Sequence, residues 1–93
     1  MADLASVKAT VHGRVQGIGF RYFTSKYAQK LSLTGFVRNL PNGDVEVEAE
    51  GEREGLNLLV EYLGVGTLGA SVEKLDVAWS DYQGSYPDFS IRT

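Results

Sequence analysis

Val7, Ala9 and Val11 alternate with Lys8, Thr10 and His12, the period of two that marks a strand with one buried face. This predicts a strand over about residues 5–12, with His12 an exposed strand residue. Beyond a glycine-rich interval the period changes. Phe20, Phe23, Tyr27 and Leu31 recur at helical spacing, with Ser25, Lys26 and Gln29 on the other side, so a helix is expected over about 20–32. Leu33-Thr34-Gly35 closes it, and Gly35 to Leu40 is rich enough in aromatic and β-branched residues to be a second strand. Pro41-Asn42-Gly43-Asp44 predicts a hairpin, because Asn-Gly tolerates the positive φ angles a tight turn needs. The third strand puts Val45, Val47 and Ala49 inward and Glu46, Glu48 and Glu50 outward, and Gly51 breaks it. With Glu52, these glutamates read as a solvated face. Leu56, Leu59, Val60 and Leu63 form the stripe of a second helix, about 53–64, with Gly64, Gly66 and Gly69 as a pliable exit. Leu75, Val77 and Trp79 alternate with Asp76, Ala78 and Ser80 as a fourth strand, and Phe89 and Ile91 suggest a short fifth at an edge.

The order is βαββαβ with a C-terminal addition. Right-handed crossovers place both helices on one face of the sheet, which predicts an α+β, ferredoxin-like sandwich with an antiparallel sheet. Residues 1–93 make one domain, since a chain this short supports a single core. In this topology the first and second strands run parallel. The loop after the first and the end of the second therefore share a rim, where Arg21 and Asn39 can meet.

Composition narrows the chemistry. There is no cysteine and one histidine, which leaves no disulfide, no thiolate site and no recognisable metal-ligand spacing, so we expect neither metal nor cofactor. A net charge of -3 argues against a nucleic-acid or anionic-membrane surface. The N-terminus lacks the basic and apolar regions of a leader, and no apolar run is long enough to span a bilayer. A soluble, cytoplasmic, free-standing chain acting as a monomer is expected.

The interval between first strand and first helix, Gly13-Arg14-Val15-Gln16-Gly17-Ile18-Gly19-Phe20-Arg21, carries the candidate chemistry. Two glycines two apart can turn several N–H groups toward one point, and the helix that follows adds its unpaired N–H groups and the positive end of its dipole. A dinucleotide fingerprint fails, since its third glycine falls at Tyr22, and a P-loop fails for want of Gly-Lys-Ser/Thr. Arg21, in the first helical turn, gains nothing from the dipole. It is either paired, with an acidic neighbour or the C-terminal carboxylate, or waiting for an anion that its planar fork can grip. Asn39 either caps the turn at Pro41 or, sharing a face with Val37, points to the packed side.

The same loop resembles the first signature of the acylphosphatase family, and Gly35-Phe36-Val37-Arg38-Asn39-Leu40-Pro41-Asn42-Gly43 resembles the second. The similarity extends through Val45 to Gly51 and through Tyr86, Phe89, Ser90, Ile91 and Arg92, nearly the whole chain. That resemblance implies hydrolysis of acyl phosphates to carboxylate and inorganic phosphate. Arg21 matches the family's phosphate-binding arginine and Asn39 its water-orienting asparagine. Main-chain N–H groups of Gln16, Gly17, Ile18, Gly19 and Phe20 would complete the anion cradle, and inorganic phosphate would inhibit as product. Two alternatives share the topology: a non-catalytic anion-binding domain, and an RNA-binding module, although the expected acidic sheet face suits the latter poorly.

Overall fold

The computed structural model describes residues 3–93. Its elements are β1 (Leu4–Arg14), α1 (Phe20–Lys30), β2 (Thr34–Asn39), β3 (Val45–Glu52), α2 (Arg53–Val65), β4 (Ser71–Asp81) and β5 (Phe89–Arg92). The sheet order is β4-β1-β3-β2-β5. β3 runs antiparallel to both β1 and β2, so those two are parallel to each other, as expected. The expected ferredoxin-like α+β architecture is present. One detail differs, because β5 lies parallel to β2 and makes the sheet mixed rather than purely antiparallel.

Alternation decides which residues enter the core. Ala5, Val7, Ala9 and Val11 from β1 and Val45, Val47 and Ala49 from β3 are buried against Leu56, Leu59 and Leu63 of α2. On α1 the buried positions are Phe20, Thr24, Ser25 and Ala28. Ser25 is thus buried, contrary to the helical wheel, and its hydroxyl accepts from the Gln29 side-chain amide at 3.1 Å. Phe23 and Tyr27 pack sideways instead, Tyr27 against Tyr62 of α2 with centroids 4.3 Å apart. Thr24 keeps its hydroxyl satisfied by donating to the Phe20 carbonyl at 2.9 Å.

Other boundaries moved for identifiable reasons. Gly51 does not break β3, which continues to Glu52. It accommodates Leu33, whose Cδ2 would lie 2.7 Å from any added Cβ. β4 is longer than its apolar alternation, since it pairs with β1 along its length, and its Val77 and Trp79 stay partly exposed at the sheet edge.

The larger correction concerns the glutamates. Glu46 and Glu50 are 7% and 2% exposed, not solvated. The chain after β4 crosses the outer face of the sheet, and Glu50 accepts the backbone N–H groups of Gln83 and Ser85, each at 2.8 Å. Tyr86 donates its hydroxyl to Glu48 at 2.8 Å and packs its ring on Phe36. Glu46 accepts from Arg38 at 2.8 Å and faces Lys8 at 3.6 Å. Glu52 stays exposed as expected, but Glu48 and Glu50 latch residues 83–86. Period-two patterning could not show this, because it fixes which face a side chain takes and not what later covers that face.

Candidate active site

The loop Val15–Gly19 leaves the end of β1 and feeds α1. Gly17 and Gly19 take φ angles of 77° and 76°, and the left-handed Gly19 is the residue on which α1 begins. No atom stands within 4 Å of a Cβ added at either, so conformation and not crowding demands glycine here. No side chain caps α1, which leaves the first-turn N–H groups without a side-chain partner.

A cleft of about 200 Å³ opens where this loop meets the end of β2, lined by Val15, Gly17, Gly19, Phe20, Arg21, Tyr22, Asn39 and Ile91. Arg21 and Asn39 are thus brought together at the rim that the topology predicted. Among the described residues Arg21 has no carboxylate within ion-pair distance; it donates instead to the main-chain carbonyl of Arg92 in β5 at 3.1 Å. That contact orients the guanidinium without neutralising it. Asn39 does not cap the turn. The turn closes through Leu40 N–H to the Asp44 carbonyl at 2.8 Å and through Asn42, whose side-chain oxygen accepts the Asp44 N–H at 3.0 Å.

Gln16 and Ile18 do not line the cleft with their side chains. Ile18 packs against the core, and the Gln16 amide donates to the carbonyls of both Leu40 and Asp44, each at 2.8 Å. Gln16 therefore ties the loop to the residue following Asn39. The sequence held no signal for that role, because it depends on where the β2–β3 turn sits. Tyr22 and Ile91 were also missed as lining; Tyr22 adjoins Arg21 in the sequence, whereas Ile91 reaches the cleft because β5 pairs beside β2 with Ile91 opposite Val37, a placement that alternation does not give.

His12 departs from its expectation as an exposed strand residue. It is half-buried between Asp44 at 2.9 Å and Asp76 at 2.8 Å, joining β1, the β2–β3 turn and β4. The hydrogen bond from His12, aided by the charge of Lys74, holds the Asp76 carboxyl below its ordinary range. Tyr86 moves the other way, pushed up to about 12 by burial and by its bond to Glu48.

The sequence model of the acylphosphatase family matches residues 7–91. An acylphosphatase of Salinibacter ruber is 45% identical over 86 residues, 92% of this chain and 90% of that one. One from Anaeromyxobacter dehalogenans is 41% identical over 92 residues, 99% of each chain. The crystal structure of acylphosphatase from Bacillus subtilis superposes with a TM-score of 0.92 at 37% identity, covering 98% of this chain and 100% of that one. With nearly every residue inside the family match, and the fold shared as well, this chain is an enzyme of the acylphosphatase family, as its two signatures imply.

Proposed function

We propose that the chain hydrolyses the carboxyl-phosphate bond of small acyl phosphates without a metal, using the cleft between the glycine loop and the end of β2. The observation that carries this reading is the convergence of Gly17, Gly19, Arg21 and Asn39 on one cleft, with Arg21 unopposed by any carboxylate among the described residues. Main-chain N–H groups of Gln16 to Phe20 and the Arg21 fork hold the phosphoryl oxygens. The Asn39 side-chain carbonyl accepts a hydrogen bond from water and aims it at phosphorus.

Little else is required of the protein. The departing carboxylate has a conjugate acid of pKa about 4, so no general acid need protonate it. A loose phosphoryl-transfer transition state asks chiefly for positioning and charge stabilisation. The water oxygen bonds to phosphorus as the bond to the acyl oxygen breaks; a phosphoryl oxygen takes the water's proton, and carboxylate and orthophosphate leave. In this reading the chain acts as a monomer in the cytoplasm. The RNA-binding alternative would use the outer sheet face, where Glu48 and Glu50 hold residues 83–86 and Glu46 is paired with Arg38 and Lys8.

Steady-state hydrolysis of benzoyl phosphate tests the assignment. Arg21→Lys keeps the charge and loses the fork, and should cost about a hundredfold or more. Asn39→Ala should lower kcat more than it alters KM. Orthophosphate should compete with substrate, and a chelator should leave the rate unchanged. Near-normal turnover by either variant refutes the assignment, and binding of phosphate without release from an acyl phosphate would establish the non-catalytic alternative.

A further inference from the structure

Resting on that reading, we infer that Tyr22 and Ile91 form a platform for the acyl group, and that the enzyme favours acyl phosphates with an aromatic or bulky apolar acyl portion over acetyl phosphate. The polar lining of the cleft is taken up by the reacting centre: loop N–H groups and Arg21 by phosphate, Asn39 by water. Val15 and Phe20 are 0% and 2% exposed and belong to the core. What remains of the lining is Tyr22, 70% exposed on α1, and Ile91, 43% exposed on β5.

Single exposed apolar side chains are ordinary on a protein surface. Here two of them, from separate elements, flank the same cleft. No aromatic partner holds the Tyr22 ring among the described residues; Phe20, Phe23 and Tyr27 pair with one another and leave it out. In-line displacement sets the attacking water and the acyl oxygen on opposite sides of phosphorus, so the acyl group needs lining that neither phosphate nor water occupies. In a cleft of about 200 Å³, the tyrosine ring and the isoleucine are the lining left to give an apolar acyl group a desolvating contact.

The test compares kcat/KM for benzoyl phosphate and acetyl phosphate, each corrected for spontaneous hydrolysis, in the native chain and in Tyr22→Ala, Ile91→Ala and Tyr22→Phe. Because intrinsic leaving-group reactivity cancels between proteins, the informative quantity is the change in the benzoyl-to-acetyl ratio. Tyr22→Ala and Ile91→Ala should each lower that ratio about three- to tenfold, the range set by one apolar or aromatic contact, mainly through KM for benzoyl phosphate. Tyr22→Phe should restore it, since the ring and not the hydroxyl makes the contact. A ratio unchanged in Tyr22→Ala overturns the platform while hydrolysis of both substrates leaves the proposed function standing. If the native chain hydrolyses neither, the function itself has failed and the platform with it.

Discussion

At Arg21 one guanidinium N–H is engaged by the Arg92 carbonyl, and the residue lines the cleft. Gln16 acts from outside the cleft, fixing the loop to the turn beside Asn39. Gln16→Leu keeps the volume and removes both donors. The two carbonyls retain their bonds within the turn, so the stability loss measured by denaturant unfolding should be only about 1–2 kcal/mol. The effect on kcat should be larger, about tenfold or more, because a small displacement between loop and Asn39 spoils alignment. Orthophosphate inhibition should move much less, a split that general loosening of the fold would not produce. Gly19→Ala is a second residue-scale case: with open space around the added methyl, its cost is the left-handed backbone alone, about 1–2 kcal/mol. Of these parts the sequence displayed the glycines, the arginine and the asparagine, because their chemistry is written in residue type. It hid Gln16, whose role lies in partners 24 and 28 positions away.

The segment between β4 and β5 shows the same limit among elements. Alternation located β3 and its faces correctly, yet two of the outer glutamates, Glu48 and Glu50, proved to be acceptors for a covering segment that has no periodicity of its own. Glu50 is nearly inaccessible and accepts two main-chain N–H groups, so its carboxylate is offset by charge-assisted hydrogen bonds rather than by a cation. Glu50→Gln retains the shape but substitutes a donor for one acceptor. We expect a loss of about 2 kcal/mol, or roughly 8–16 °C in Tm for a domain of this size, read by thermal unfolding. A Tm within about 2 °C of the parent would show that the latch contributes little. Tyr86→Phe tests the neighbouring bond by pH. The folded hydroxyl titrates at about 12 against an ordinary 10.0, so its stabilising contribution is complete below pH 10 and fades as pH rises toward 12. The stability difference between parent and Tyr86→Phe should therefore shrink across that window.

For the molecule as a whole, the topology made the site legible before any contact was known: parallel β1 and β2 had to deliver loop and strand end to one rim. The rim is also cross-braced by His12, between Asp44 and Asp76. Since the folded Asp76 carboxyl sits below its ordinary 3.8, its contribution is present above that value and is lost as pH falls through the folded one. Asp76→Asn should remove that contribution, so its stability deficit relative to the parent should shrink on acidification below about pH 4 and under high salt, as followed by urea unfolding. A deficit constant down to pH 2 would assign Asp76 no such part. The cleft, finally, is closed by the last strand of the chain: Ile91 lines it, and the Arg92 carbonyl steadies Arg21. Phe89 of the same strand belongs to the core, so undocking β5 from β2 would open the core and release the Arg92 carbonyl from Arg21 in one event, and the strength of that parallel pairing sets how often the cleft loses its wall.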